Sequence, residues 1–315
     1  MWIVPDTPIL IVDTASLYFR AYYGVPTTLT DALGRPVNAV YGLLDMLSRL
    51  IDQYSPTAVV CAWDDDWRPQ WRVDLVPSYK THRLAPASIQ EEAVEDALAA
   101  QVPWIADCLI AAGLCVIGVA DYEADDVAGT IAHQVAAAGG RAVIVTGDRD
   151  LFQLVGEHVQ VAYIARGVAR HELVDDAWLV ARHGVVGAQY ADLATLRGDS
   201  SDGLPGVAGI GEKTATTLLA SYHDLDGVLA AAADPSSGMT LKQRLRLLDA
   251  SDYLARARQV VSTADVDLGD WDAGQCSGRA DLGRCAELAV QHNVRGPMDR
   301  LLRSLGVVSG QHVDG

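Results

Sequence analysis

Three apolar runs in this chain each lead into an aspartate. Ile9-Leu-Ile-Val12 runs into Asp13, Thr57-Ala-Val-Val-Cys-Ala-Trp63 into Asp64, and Arg141-Ala-Val-Ile-Val-Thr146 reaches Asp148 after one glycine. Continuous apolar, β-branched runs without polar alternation are what strands buried on both faces require, and such strands belong to parallel sheets. Helical patterns lie between them. Residues 37–54 repeat apolar side chains at Val40, Leu43, Leu44, Leu47 and Ile51, and 89–112 and 123–138 also read as helices, the last ended by Gly139-Gly140. A fourth short strand is expected over 115–119. Strands alternating with helices predict an α/β unit with a mostly parallel central sheet. In such sheets ligands bind beyond the carboxyl ends of the strands. Three aspartates far apart in sequence are therefore expected on one edge. A single strand-end aspartate is ordinarily a turn former; three together read as a site.

Composition narrows the classes. The chain has 315 residues, which at about 150 per domain predicts two structural units. Half the residues are hydrophobic, enough for a large core, and the net charge is −17. That balance argues against a basic nucleic-acid clamp, and against a surface drawn to anionic membranes. The most apolar stretch, 97–120, is interrupted by Gln101, Pro103, Asp107 and Gly113, so no membrane span is expected. Residues 1–8 carry no basic segment before an apolar run, so no signal peptide is expected. Cys61, Cys108, Cys115, Cys276 and Cys285 form no CxxC pair and read as reduced thiols, which places the chain in the cytoplasm. After about Leu173 the character changes to short helices punctuated by Gly and Pro, densest in Gly203-Leu-Pro-Gly-Val-Ala-Gly-Ile-Gly211. Helices resume at 213–222 and 241–259. A second, all-helical unit is expected over 176–260. The segment 261–315, with one strand-like and two helical runs, is expected to pack back on a first unit of 1–175 and to end in frayed residues 309–315.

Further carboxylates gather at the same edge. Glu123, Asp125 and Asp126 crowd the start of one helix, Asp150 follows Asp148, and Asp199 and Asp202 stand beside the Gly-rich turn. Acids at a helix N-terminus are ordinarily favourable with the helix dipole. Nine carboxylates in one cleft, however, are costly without compensation. Oxygen donors with no nearby His or Cys point to Mg²⁺ or Mn²⁺. Two such ions about 3.5–4 Å apart make a phosphoryl-transfer site. The eight histidines are scattered, with no HxxxH and no Ser-His-Asp arrangement.

These residues, in this order, resemble the 5′ nuclease (flap endonuclease) family, which includes the 5′-exonuclease domain of bacterial DNA polymerase I and its stand-alone relatives. The resemblance covers nearly the whole chain. It is carried by Asp31-Ala-Leu-Gly-Arg-Pro-Val-Asn-Ala-Val-Tyr-Gly42, Pro77-Ser-Tyr-Lys-Thr-His-Arg83, Asp121-Tyr-Glu-Ala-Asp-Asp-Val127, Thr146-Gly-Asp-Arg-Asp150 and Gly198-Asp-Ser-Ser-Asp-Gly-Leu-Pro-Gly-Val-Ala-Gly-Ile-Gly-Glu-Lys-Thr-Ala215. It implies a PIN-like α/β core with a helical gateway at about 80–106, and a helix–three-turn–helix module that grips duplex DNA. It implies that Asp13, Asp64, Glu123, Asp125, Asp126 and Asp148 surround a first metal, and that Asp150, Asp199 and Asp202 hold a second. The strand end selects Asp64, whereas the family's usual spacing to Trp71-Arg72 selects Asp65; Asp64 is taken here.

The resemblance also implies roles for basic and aromatic residues. Lys80 and Arg83 would steer the scissile phosphate, Tyr79 would stack on a base near the 5′ end, and Arg20 would contact substrate phosphate. Gly209, Ile210, Gly211, Lys213 and Thr214 would hold the duplex backbone, with a monovalent ion such as K⁺ at the Gly209-Gly211 turn. Val37, Arg149 and Gly203 depart from the family's usual Thr, Lys and Asn, and none removes a metal ligand.

The implied activity is metal-dependent hydrolysis of DNA carrying a 5′ flap or a free 5′ end, in replication or repair, by a monomer in a bacterial nucleoid. The nuclease parts account for all 315 residues, so coupling to a polymerase or ligase is expected in trans. Three other classes fit less well. A PIN-type ribonuclease has no use for a duplex-gripping turn. A haloacid-dehalogenase-like phosphatase needs a second Asp where this chain has Ala15, and a non-enzymatic binding module has no need of nine acids.

Overall fold

The computed structural model describes residues 7–86, 88–269, 271 and 278–307. Six strands are present: β1 (Ile9–Asp13), β2 (Ala58–Ala62), β3 (Cys115–Ile117), β4 (Ala142–Thr146), β5 (Val159–Tyr163) and β6 (Glu172–Val174). They form one sheet in the order β3-β2-β1-β4-β5-β6. All pairs are parallel except β5 with β6. The chain leaves β1 for β2 on one side and returns to β4 on the other. Residues just past β1, β2 and β4 therefore border a crevice where strand order switches, the usual ligand position in open α/β sheets.

The period of a strand explains why the central runs carry no polar alternation. Side chains alternate faces, and here both faces are covered. Ile11, Val60 and Ile144 join one buried cluster with Val127, Ile131 and Val135 of the helix Ala124–Ala137. Leu10, Val12, Val59, Cys61, Val143 and Val145 join the other. That second cluster is closed by Leu43, Leu44 and Leu47 of the helix Asn38–Tyr54 and by Ile105 and Leu109 of Val102–Ala111. Cys285 and Leu288 of Leu282–Gln291 and Met298, Leu301 and Leu302 of Arg295–Ser304 complete it. The helix Asn38–Tyr54 stops where Ser55 turns left-handed at φ 43°.

The helices Tyr190–Arg197, Glu212–Tyr222, Leu225–Ala233, Leu241–Asp249 and Ser251–Val261 form the later, helical part. Its apolar side chains are continuous with the first cluster, from Phe152 through Leu193 and Leu196 to Leu218 and Val228. The two parts share a core, which fixes the loop 198–211 against the sheet edge.

Several expectations need correction. The run 89–112 is not one helix. Only Asp96–Ala99 and Val102–Ala111 are α-helical, so most of the gateway expected at 80–106 is a short 3₁₀ turn, Thr81–Arg83, followed by extended and bent chain. Pro86 interrupts any helix there, and Leu84 pairs with Glu92 as an isolated antiparallel bridge. The run 241–259 breaks at Ala250, between Leu241–Asp249 and Ser251–Val261. Among the described residues no strand follows Val174, so the strand-like run expected in 261–315 is not seen there. Strands β5 and β6 were not anticipated. Cys108, Cys115 and Cys285 are free thiols. Cys276 and the end 309–315 lie outside the described residues. None of the described helices is long and apolar enough to cross a membrane.

Candidate metal centre

The strand-end aspartates are brought together as expected, and each is wired in place by its own chain segment. Asp13 ends β1 and caps the helix Thr14–Gly24, accepting from the Ser16 amide at 3.1 Å and the Ser16 hydroxyl at 2.6 Å. The Thr146 hydroxyl at the end of β4 donates to the same carboxylate at 2.7 Å. Thr146 in turn accepts from the Asp148 amide at 2.8 Å, and Asp148 accepts from the Asp150 amide at 3.0 Å. Neighbouring strand ends are thus cross-linked through Ser16 and Thr146. Asp64, just beyond β2, accepts from the amide of Ala124 at 2.7 Å and so caps the helix Ala124–Ala137. Asp65 does not line the cleft, and its carboxylate packs against Gly118 instead.

These groups line an open cleft of about 780 Å³, whose walls include Asp13, Asp64, Glu123, Asp125 and Asp148 together with Lys80, Arg83 and Arg20. Burial, reinforced by the charges of Asp13 and Glu123, pushes the Asp64 carboxyl up to about 7. Burial pushes Asp125 well above the usual carboxylate range, with Asp148 and Asp13 adding to it. Asp13 is raised for the same first reason. Asp150 is raised well above its ordinary value by burial, then by the charges of Asp148, Asp202 and Asp199. None of Asp150, Asp199 and Asp202 lines this cleft; Asp202 approaches it through Arg83, and Asp199 accepts from the Ser201 amide at 2.8 Å.

The basic residues sit over these acids. Lys80 is buried at 8% exposure and its Nζ lies 2.5 Å from Glu123 Oε2. Burial alone would depress Lys80, but Glu123 first and then Asp202 and Asp125 hold it well above its ordinary value. Arg83 reaches Asp202 Oδ1 at 3.0 Å and the Ser201 carbonyl at 2.9 Å. The Lys80 amide donates to the Asp202 carbonyl at 2.9 Å, so the gateway turn is tied to the loop 198–211. Gly203 makes this approach feasible. Its φ is +72°, and a Cβ there would run into the Ser78 carbonyl. The Gly203 departure thus has a steric reason. Arg20 lies at the cleft wall with Nη2 donating to the Ala165 carbonyl at 2.8 Å, while its buried Nε has no hydrogen-bond partner among the described residues.

Other expected site residues are placed differently. Asp126 is fully buried and does not face the cleft. It accepts two bonds from Arg72, at 2.6 and 2.8 Å, one from the Ala264 amide at 2.7 Å and one from the Glu123 amide at 3.1 Å. On this helix Asp125 lines the cleft, whereas Asp126 turns inward to Arg72. Tyr79 is buried, with its hydroxyl donating to Glu123 Oε1 at 2.8 Å, which leaves no ring face for a base. Ile210 is also buried, so only its backbone can meet a phosphate. Gly211, Lys213 and partly Thr214 are exposed at the start of Glu212–Tyr222. At the turn where K⁺ is expected, two carbonyls are already engaged. The Gly209 carbonyl accepts from Arg246 Nη1 at 3.1 Å, and the Gly211 carbonyl accepts from the Thr214 and Ala215 amides at 3.0 Å. A cation on the Gly209 oxygen would lie against the guanidinium.

The acid cluster does suit a hard divalent cation. Its donors are all carboxylate oxygens, and burial first, then neighbouring charge, raises Asp13, Asp64, Asp125 and Asp150, a cost that a cation would lower. Among the described residues no three such side chains are already closed into a ligand cage; the carboxylates stand apart around the open cleft. Ser16, Thr146, Arg72 and Glu92, which lines the cleft near Arg83, were not singled out from sequence. The Trp71-Arg72 pair was the available signal for Arg72.

Comparisons with known proteins bear on the chain's family and fold. A family model described as "5'-3' exonuclease, N-terminal resolvase-like domain" matches residues 8–184, and "5'-3' exonuclease, C-terminal SAM fold" matches 185–276. A "5'-3' exonuclease" of Streptomyces coelicolor is 51% identical over 302 residues, covering 94% of this chain and 99% of that one. One of Mycobacterium tuberculosis is 42% identical, covering 96% and 99%. DNA polymerase I of Mycobacterium leprae is 38% identical over 70% of this chain and 23% of its own length. Among solved structures, the T5 D15 protein co-crystallised with metal ions superposes with a TM-score of 0.65 at 17% identity, covering 95% of this chain and 98% of that one. The catalytic core of Rad2 in complex with DNA substrate gives 0.56 at 15% identity, covering 97% and 93%. At those identities the structures speak for the fold, while the two family models and the full-length relatives speak for descent: the chain belongs to the 5′-3′ exonuclease family.

Proposed function

We propose that this chain hydrolyses DNA phosphodiesters at a free 5′ end or a 5′ flap, with divalent metal ions, leaving a 5′-phosphate and a 3′-hydroxyl. The observation that carries the reading is the convergence of Asp13, Asp64, Asp125 and Asp148 beyond the ends of three parallel strands, beneath Lys80 and Arg83. Family membership and the names of the full-length relatives support it. Mg²⁺ or Mn²⁺ ions, held by Asp13, Asp64, Glu123, Asp125 and Asp148 and by Asp150, Asp199 and Asp202, would supply an activated water and stabilise the leaving 3′ oxygen.

The chain's own residues do the rest. Lys80 and Arg83 balance the acids without substrate and present N–H donors to a phosphate that enters the cleft. Tyr79 acts through Glu123, holding its carboxylate for that exchange. Arg20, whose Nε is unpartnered, offers a further donor at the wall. Unpairing of the terminal nucleotides, at a cost of a few kcal/mol, would let the scissile phosphate reach the acids. Within this reading, the helical segment 176–260 holds the duplex through the turn at Gly209-Gly211, with Lys213 and Thr214 beside it.

The test is denaturing-gel analysis of a 5′-flap DNA with Mn²⁺, Mg²⁺ or EDTA, beside a matched RNA. Cleavage of the DNA with metal and none with EDTA is expected. Cleavage without metal, or of the RNA alone, would overturn the reading.

A further inference from the structure

The gateway segment borders the cleft through Lys80, Arg83 and Glu92, and its two legs are zipped together rather than held apart. The Ala85 amide donates to the Glu91 carbonyl at 2.8 Å, and the Ala93 amide to the Arg83 carbonyl at 2.8 Å. Leu84 and Glu92 face each other between these bonds as an antiparallel bridge. Backbones paired in this way lie about 4.8 Å apart. No nucleotide chain passes between legs that hydrogen-bond to one another.

The zipped segment is also fastened on either side. Trp67 Nε1 donates to the Gln90 carbonyl at 3.0 Å, and Arg68 donates to the Tyr79 carbonyl at 2.6 Å and to the Thr81 hydroxyl at 3.3 Å. Beyond Glu92 the chain rejoins the core. The Tyr22 hydroxyl donates to Glu95 at 2.7 Å, Leu98 is buried, and Gln101 accepts from the Ala39 amide at 2.8 Å. Glu92 itself lines the cleft on the same wall as Lys80 and Arg83. A carboxylate there repels a phosphodiester chain drawn past the segment. The opposite margin is formed by the helix Thr14–Gly24, whose Ser16, Phe19, Arg20 and Tyr23 line the cleft one turn after another. Tyr23 is 69% exposed, so the cleft meets solvent along this helix.

We propose that a 5′ flap enters this cleft sideways, along the helix Thr14–Gly24, and is not threaded beneath the gateway segment, so that flaps whose 5′ end carries a bulky block are substrates too. This rests on the proposed flap cleavage. A threaded strand must pass its 5′ end through a closed opening, and a block on that end stops it. A strand laid in from the side brings only the nucleotides at the junction to the acids, and the state of its end does not matter.

The test uses a duplex with a 5′-biotinylated single-stranded flap. Streptavidin is added either before or after the chain in EDTA, cleavage is started with Mn²⁺, and products are followed on denaturing gels beside the unblocked flap. Initial rates within about twofold of one another are expected in all three arms. A loss of about tenfold or more when streptavidin is added first, but not when it is added last, would overturn the inference.

A second variant locks the legs. Leu84 and Glu92 form the non-hydrogen-bonded kind of antiparallel pair, with Cα atoms about 4.5 Å apart, within disulfide reach. Leu84→Cys with Glu92→Cys, oxidised with diamide, should cleave the unblocked flap within about threefold of its own reduced form. The unmodified chain treated with diamide controls for its native thiols. Loss of cleavage on oxidation, restored by reductant and absent from the control, would show that the legs must part, and would equally overturn the inference. If the unblocked flap is cleaved, these results bear on sideways entry alone; if the unmodified chain cleaves no flap, the DNA reading falls and this inference with it.

Discussion

Arg72 and Asp126 form a bidentate ion pair in the interior, with Nη2–Oδ1 at 2.6 Å and Nη1–Oδ2 at 2.8 Å, and neither side chain is more than 3% exposed. Arg72 Nη1 also lies 3.3 Å from Glu123, and its Nε donates to the Val260 carbonyl at 3.1 Å. Asp126 accepts from the Ala264 amide on the same later segment. The pair joins the start of the helix Ala124–Ala137, which carries the cleft acids, to the chain that leaves the helical part.

Removing one partner strands the other charge in low dielectric. Arg72→Met or Asp126→Asn should each cost about 3–5 kcal/mol of stability. Urea melts check this. The double variant should recover part of the loss, because no unpaired charge remains. If Asp126 were instead a metal ligand, Asp126→Asn would leave stability without metal nearly unchanged.

Asp125 and Asp148 face the cleft, half-buried, and their charges repel one another. Asp125→Asn and Asp148→Asn should lower kcat by on the order of 10³ or more, since under the proposed function each removes a charge that would hold a metal ion. Both should melt no lower than the unmodified chain in EDTA, because that repulsion is gone. Gel assays and thermal scans on the same samples read the two effects, and activity within tenfold of the unmodified chain would sink the role, that being about 1.4 kcal/mol of barrier.

Gly203 lets the gateway turn approach the loop 198–211. Gly203→Ala forces a Cβ toward the Ser78 carbonyl at φ +72° and pushes on the segment whose Lys80 amide is bonded to Asp202. It should cost about 1–3 kcal/mol. It should also reduce cleavage more than Ser200→Ala, a substitution in the same loop that needs no positive φ. Comparing the two variants by melting and by gel separates strain from loop trimming.

How legible the site was depended on where the signal lay. The strands ending at Asp13, Asp64 and Asp148 were readable because both faces of β1, β2 and β4 are buried, which leaves unbroken apolar runs. Strand β5 was missed because Gln160 breaks the apolar run Val159-Gln-Val-Ala-Tyr163, which lies near the sheet edge with Gln160 and Tyr163 half-buried. The gateway was misread because apolar spacing over 89–112 imitates a helix. There Glu95 is drawn instead to the Tyr22 hydroxyl at 2.7 Å, and Glu92 to the bridge with Leu84. Asp126 was not told apart from Asp125, because adjacent helix positions can share a face, as Leu43 and Leu44 do, and its inward turn depends on Arg72 far away in sequence. The contact of Arg246 with the Gly209 carbonyl was not readable either, since it spans 37 residues.

Divalent ions should act on stability as well as on rate. The folded chain holds its cleft acids in place through Ser16, Thr146 and the Ala124 amide, and an unfolded chain offers no such array. A ligand that binds only the folded state stabilises it by RT ln(1 + [L]/Kd), about 2.7 kcal/mol at a hundredfold excess over Kd. Mn²⁺ or Mg²⁺ should therefore raise Tm in a concentration-dependent way, and EDTA should reverse it. In Asp125→Asn the gain should shrink, because a raised, unrelieved carboxylate is no longer there to be neutralised. Differential scanning calorimetry across a metal titration reads this without any substrate. An unchanged Tm at millimolar Mn²⁺, or an equal gain in Asp125→Asn, would show that the carboxylates of this cleft do not hold the ion.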